Sequence, residues 1–547
     1  MGGTLMAAVA ENWWRGGVIY HIYPRSFLDT NGDGIGDLPG ILRRLDYVAS
    51  LGVDAVWLSP FFTSPMRDFG YDVSNYRDVD PMFGTLEDFI ALLEAAHERD
   101  LKIIIDQVYS HTSEDHPWFR ESRVNRVNPR ADWYVWADAK PDGTPPTNWQ
   151  SVFGGPSWQW EGRRKQYYMH NFLSSQPDLN LHNPEVQDAL LEVARFWLEL
   201  GVDGFRLDAI NFAMHDLELK DNPPSEWPPE WVTRPFDMQI HRYNRSDAAI
   251  PQFLERLRSV LDAYDARFSV AEVFGPTPLV EMQTFTSPGR IHSAYNFDFL
   301  YAEKLTGDHV RQCIEAWAGD QVESWPSWAF SNHDAPRSAS RWARSAEPAD
   351  LKRQAKLNLL LLLALRGSLF LYQGEELGLP QSDVPFEALQ DPEAIANWPH
   401  TLGRDGARTP FPWTEDRDAG FSTVPPWLPV DHRHPQLSVT SQETDPKSVL
   451  NFLRRALALR RAMPALQDGG MTFIEGAADE DLLVFLRGTA PDETLCTYNF
   501  GDHAITWQPE DPEAWEIVLA TGSRAHGPPG STIPPRSGYW AVRRRYI

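Results

Sequence analysis

Cysteine is nearly absent: Cys313 and Cys496 are the only two among 547 residues, and they lie far apart. That excludes a disulfide framework and any cysteine-based metal cluster. Positive charge is also scarce. Fifty Lys and Arg face 76 Asp and Glu, and the formal net charge of −26 repels nucleic acid and anionic lipid. A neutral or cationic small-molecule partner is expected, with no nucleic acid and no membrane. No apolar run approaches the roughly 20 residues that cross a bilayer. The opening "MGGTLMAAVAENWW" lacks the basic start and apolar length of a secretion signal, so a cytoplasmic protein is expected.

A content of 42% hydrophobic and 12% aromatic residues describes a globular chain with a large core. The 22 tryptophans are the flat apolar rings that sugar faces stack on, although core packing explains most of them equally well. Short apolar runs recur, each followed by a polar loop and a helical pattern: "GVIYHIYP" (17–24), "GVDAVWLSP" (52–60), "LKIIIDQV" (101–108), "GVDGFRLDAI" (201–210) and "FSVAEVFG" (268–275). Such runs suit a parallel sheet buried on both faces. With "SAYNFDF" (293–299), "SWAFSNHD" (327–334) and "SLFLYQGEEL" (368–377) they predict an α/β chain whose eight strands close into a (β/α)8 TIM barrel.

Two connections are too long for simple turns. Residues 110–175, rich in Trp, Pro, Gly and Asn, read as a subdomain inserted after the third strand. The stretch "KDNPPSEWPPEWVTRPFD" after the fourth is too proline-rich for a helix and long enough to form a rim or lid. Beyond "SVLNFLRRALALRRAM", short alternating segments predict a C-terminal all-β domain. The expected division is a barrel over 1–109 and 176–465, an insertion over 110–175 and a β-sandwich-like domain over 466–547.

Function in such a barrel sits at the C-terminal ends of the strands. Asp106 and His111 follow the third strand there, Arg206 and Asp208 the fourth, Glu272 the fifth, and His333 and Asp334 the seventh. One Asp at a strand end is ordinarily a helix cap or turn residue; carboxylates from three strands with Arg and His between them are poorly explained that way. A carboxylate pair about 5 Å apart is the equipment of a retaining glycosidase. Arg206 and Asp208 share one strand face, and the guanidinium is expected to keep Asp208 ionised as a nucleophile. Glu272 lies between Ala271 and Val273 with no basic neighbour in sequence, which favours a raised pKa and the acid role.

"DTNGDGIGD" (29–37) places oxygens at EF-hand spacing through Asp29, Asn31, Asp33 and the Ile35 carbonyl, with Gly34 at the turn. Gly40 stands where the bidentate glutamate belongs, so a calcium switch is weakly supported.

"DQVYSH" (106–111), "GFRLDAIN" (204–211), "AEVF" (271–274) and "SNHD" (331–334) resemble the four signature regions of the α-amylase family, glycoside hydrolase family 13. "QPDLN" (176–180) and "YQGEELGL" (372–379) resemble its auxiliary regions, and the likeness spans essentially the whole chain. It implies Asp208 as nucleophile, Glu272 as acid/base and Asp334 as the carboxylate gripping sugar hydroxyls. His111 and His333 would bind the same glucose unit, and Arg206 would orient the nucleophile. "MRDFGYD" (66–72) resembles the α-glucosidase pattern, in which Asp68 pairs with an arginine, here Arg404, to close the pocket, while Tyr71 stacks on the sugar. Phe153 and Phe172 are expected as aromatic walls. Ala209 after the nucleophile implies a preference for α-1,4 links in short substrates, with some glucosyl transfer. The rivals are a dedicated glucosyltransferase, an oligo-1,6-glucosidase and, remotely, a non-catalytic sugar-binding relative. The first signature ends Ser110-His111 where Asn-His is usual. The oligo-1,6-glucosidase branch also implies one structural Ca²⁺ or Mg²⁺ held by Asp29, Asn31, Asp33, the Ile35 carbonyl and Asp37, and no organic cofactor.

Overall fold

A computed structural model describes residues 12–226, 232–275, 277–295, 297–318, 325–401, 403–474, 479–522 and 526–544. The proline-rich stretch at 227–231 and Asn296 of the expected sixth strand lie outside them. Eight parallel strands close into a barrel: β1 (Val18–Ile22), β2 (Ala55–Leu58), β3 (Lys102–Val108), β4 (Gly204–Asp208), β5 (Phe268–Glu272), β6 (Ser293–Tyr295), β7 (Trp325–Ala329) and β8 (Ser368–Tyr372). Each hydrogen-bonds the next in sequence, and β8 returns to β1. The residues within β1, β2, β4, β5, β6, β7 and β8 are all buried, which is why their sequences are apolar without alternation.

Seven expected strands end earlier than their apolar runs, because the runs continue as buried residues of the loops at the barrel mouth after strand pairing has stopped. β7 stops at Ala329, so "SNHD" lies in the loop beyond it rather than on the strand. The helices show their own signals. Helix Pro184–Leu200 starts at the Asn183 cap with Pro at its first position and ends at Gly201, whose φ of 107° is a left-handed conformation that glycine adopts without a Cβ penalty.

The insertion after β3 carries a three-stranded antiparallel sheet of Trp136–Ala137, Trp158–Glu161 and Gln166–Met169. The C-terminal part is all-β, with a five-stranded antiparallel sheet of Met471–Phe473, Leu482–Arg487, Thr494–Asn499, Trp515–Ala520 and Ser537–Arg543 and a two-stranded one beside it. Two buried arginines pair with carbonyls near this junction and with no carboxylate among the described residues. Arg487 of the C-terminal sheet donates to the carbonyls of Ala364 in the barrel and Gly469, and Arg460 of the preceding helix donates to those of Leu363 (2.7 Å), Gly16 (2.8 Å) and Leu466. Leu363 and Ala364 follow the end of helix Pro348–Leu362, whose last carbonyls have no partner within the helix.

Candidate active site

Strand register builds the centre of the site. Asp106 of β3 pairs directly with Arg206 of β4, and Glu272 of β5, two residues beyond the Val270 that pairs with Arg206, pairs with Tyr295 of β6, so four strands present polar groups at successive levels of the barrel mouth. Arg206, fully buried, is the hub. Its Nη1 lies 2.7 Å from Asp106 Oδ1 and 2.6 Å from Asp208 Oδ1, and its Nη2 lies 2.7 Å from Glu272 Oε1. Tyr295 donates to Glu272 at 3.3 Å and accepts from Arg206 at 3.1 Å. Trp57 and Tyr71 donate to the far oxygen of Asp106 at 3.0 and 3.4 Å.

Glu272 has no basic neighbour in sequence, yet adjacent strands bring Arg206 to it, and its pKa is raised as expected all the same. One expectation is corrected: Arg206 does not keep Asp208 at an ordinary carboxylate pKa. Burial pushes Asp208 up to about 7 despite the guanidinium, with the Asp106 and Asp334 charges adding to the rise. Burial likewise pushes Glu272 to about 7, against Arg206 and with Asp208 and Asp334. Two buried carboxyls beside one cation titrate as a pair whose first proton is held to near-neutral pH. One ionised and one protonated member is the state that nucleophile-plus-acid chemistry needs. Their common attachment to the two ends of one guanidinium suits the close pair of a retaining enzyme, about 5–5.5 Å apart, better than the wider pair of an inverting one.

Asp334 forms the opposite wall. Its Oδ1 accepts from Arg408 at 2.7 Å, and its Oδ2 lies 3.2 Å from His333 Nε2. His333 is buried and held neutral by desolvation, and the Tyr71 hydroxyl meets its Nε2 at 2.6 Å. The ring planes of Tyr71 and His333 are parallel within 3° at 5.4 Å. At the inner end Arg404 donates to Asp68 at 3.0 Å and to Asp391 at 2.8 Å. Gln176 bridges Asp68 (3.0 Å) and His111 (3.1 Å). Phe153 lies 5.0 Å from the Arg404 guanidinium, and Phe172 lies 5.1 Å from His111. All eleven expected catalytic and sugar-binding residues therefore belong to one contact network. Sequence reasoning missed Arg408, Asp391 and Tyr295. Arg408 stands in the same "GRDGARTPFPW" stretch as Arg404, and only its contact with Asp334 separates the two roles.

The acidic loop stands apart from this network. Asp29 accepts from the amides of Gly32 and Gly34 and from the Ser422 hydroxyl, Asn31 from Asp33, and Asp33 from Ile35. Asp37 caps helix Leu38–Arg43 and is bonded by Thr30. Among the described residues no three carboxylates, imidazoles or thiolates converge tightly enough to cage a metal alone. None of Asp29, Asp33 and Asp37 makes an ion pair there either, and Asp29 and Asp37 are buried; carboxylate, amide and carbonyl oxygens are the donor chemistry that a hard divalent cation takes.

Residues 21–469 match the alpha amylase catalytic domain model. The chain belongs to the alpha-amylase family. Within the family it is similar to a probable alpha-glucosidase of Rhizobium meliloti (strain 1021), 53% identical over 506 residues that cover 91% of each chain. It is 34% identical to an oligo-1,6-glucosidase of Heyndrickxia coagulans, over 93% of this chain and 95% of the other. Among solved structures, the alpha-glucosyl transfer enzyme XgtA superposes with a TM-score of 0.91 at 48% identity, covering 97% of this chain and 99% of that one. No helix among the described residues is long and apolar enough to cross a membrane.

Proposed function

We propose that this family member is an exo-acting, retaining α-glucosidase that releases glucose from the non-reducing end of short α-glucosides, α-1,4-linked ones above others, and also transfers the glucosyl unit. The observation that carries this reading is the buried Asp68–Arg404 pair at 3.0 Å, which shuts one end of the pocket that holds Asp208 and Glu272. A pocket closed there accepts one terminal sugar. Asp208 attacks the anomeric carbon while Glu272 gives its proton to the departing oxygen, and the glucosyl ester forms as the glycosidic bond breaks. Glu272, now ionised, takes a proton from water or an acceptor hydroxyl, whose oxygen displaces Asp208 and restores the α configuration. Arg206, touching both carboxylates, holds their geometry through both steps.

Transfer as the main activity is favoured by a second observation. Ala209, Phe212 and Phe236, with Val152, Phe172 and Phe274 packed against them, form an apolar wall directly after the nucleophile, which suits an alcohol or phenol acceptor over water. Product analysis on maltose, isomaltose and sucrose tests both readings. Expected are α-glucose as first product, maltose consumed fastest, and trisaccharide accumulating at high maltose. β-Glucose as first product would overturn the retaining mechanism. The acidic loop is assigned one structural Ca²⁺ or Mg²⁺ on Asp29, Asn31, Asp33, the Ile35 carbonyl and Asp37, and the protein is placed in the cytoplasm.

A further inference from the structure

Segments that follow three different barrel strands converge on one guanidinium. Arg234 lies in the connection after β4, where its Nε and Nη2 grip the two oxygens of Asp237 at 3.0 and 3.2 Å. That fork fixes the plane of the group and leaves Nη1 aimed elsewhere. Nη1 donates to the Val152 carbonyl of the insertion after β3 at 3.3 Å and to Glu393 Oε1 of the connection after β8 at 3.0 Å. The side chains of Arg234 and Glu393 are only 20% and 16% exposed, so this is not a fully solvated surface pair.

The same two partner segments meet again at Arg404. Phe153, next to Val152, lies against the Arg404 guanidinium, and Asp391, which accepts from the Glu393 amide at 3.2 Å, also accepts from Arg404. Two arginines thus join the insertion to the post-β8 segment. Arg404 does so at the pocket end wall beside Asp68 and Asp334, and Arg234 at a second point that touches no catalytic carboxylate. The Arg234 guanidinium also lies 5.7 Å from the ring of Phe236, which packs with Ala209 in the apolar wall after the nucleophile, so the Arg234–Glu393 pair borders the side of the pocket opposite the shut end, where later sugar units lie.

We infer that the Arg234–Glu393 ion pair is a clasp across the pocket mouth that sets the upper limit on substrate length, narrowing the exit that second and later sugar rings need. The inference rests on the α-glucosidase reading and adds the residues that select chain length. Its test compares kcat/KM for maltose and maltotetraose in the full-length wild type, Arg234→Gln, Glu393→Gln and the double variant. Wild type is expected to prefer maltose. Either single substitution raises the maltotetraose-to-maltose ratio by about fivefold or more, and the double variant does no more than the larger single one, since both remove one shared interaction. Glu393→Gln keeps the shape of the side chain, so it reads the clasp even where Arg234→Gln perturbs folding. An unchanged ratio in variants that still cleave maltose would overturn the clasp alone. No glucose released from either sugar by the wild type would overturn the α-glucosidase reading and the clasp with it.

Discussion

At the scale of the residue, Arg206 is the group on which the chemistry turns. It neutralises part of three carboxylates at once, Asp106, Asp208 and Glu272, yet burial still lifts both reactive carboxyls to about 7. Glu272 loses its proton beside an ionised Asp208, which raises its pKa, so Asp208→Asn is expected to lower the pKa of Glu272, read by NMR titration of the folded variant; an unchanged value would show that the two do not interact. Asp208→Asn removes the nucleophile and should cost on the order of 10³-fold or more in kcat, at least about 4 kcal/mol of barrier, while the folded protein remains. Asp208, Glu272 and Asp334 were legible as candidates because each stands in a short motif at or just beyond a strand end. Tyr295 and Asp391 were not, since Tyr295 meets Arg206 and Glu272, and Asp391 meets Arg404, only across different strands and loops, which no local motif records.

Elements explain what holds those residues at the barrel mouth. The loop after β1 does not touch the catalytic carboxylates but leans on the segment after β8. Asp29 donates its amide to the Phe421 carbonyl, its carboxylate accepts from Ser422, and Trp427 donates to the Gly34 carbonyl. Gly34 has a φ of 87°, and a Cβ there would stand 2.5 Å from the Pro425 carbonyl, so glycine is required. A cation on the loop's oxygens would stiffen this pairing and only indirectly the Arg404–Arg408 stretch upstream of residue 421. Chelation is therefore expected to lower the thermal midpoint more than it lowers specific activity at low temperature. An immediate, reversible loss of turnover without a change in midpoint would assign the ion a role in the reaction instead. The oxygen spacing of the loop was readable from nine residues. Its partner segment, nearly 400 residues later, was not, because closing the barrel is what brings β8 beside β1.

Taken whole, the molecule stores titratable groups in its interior, and their opposing demands set how stability depends on pH. Burial pushes Asp178 to about 8, Asp208, Glu272 and Glu376 to about 7, and Asp72 and Asp106 to about 6. The folded protein holds protons there that the unfolded chain releases near pH 4, so these groups lower stability as pH rises. Burial moves His111, His170, His241 and His434 down to about 4 and His116, His215 and His292 to about 3. The unfolded chain protonates these imidazoles near 6.5 while the folded protein refuses to, so they raise stability as pH climbs to about 6.5 and no further. The thermal midpoint is expected to peak between about pH 6 and 7 and to decline toward pH 8; a midpoint still rising across that last interval would show that the buried carboxyls are ionised in the folded state. The sequence by itself determined the barrel, the insertion after its third strand, the all-β tail and the candidate carboxylates at the barrel mouth, because apolar runs, strand-end polarity and motif spacing are local properties of the chain. Only the tertiary structure decided that one guanidinium serves both Asp208 and Glu272, that Arg408 and Asp391 complete the walls, and that Arg234 joins three rim segments. Those contacts link residues on different strands and loops, and they exist only once eight strands have closed into a ring.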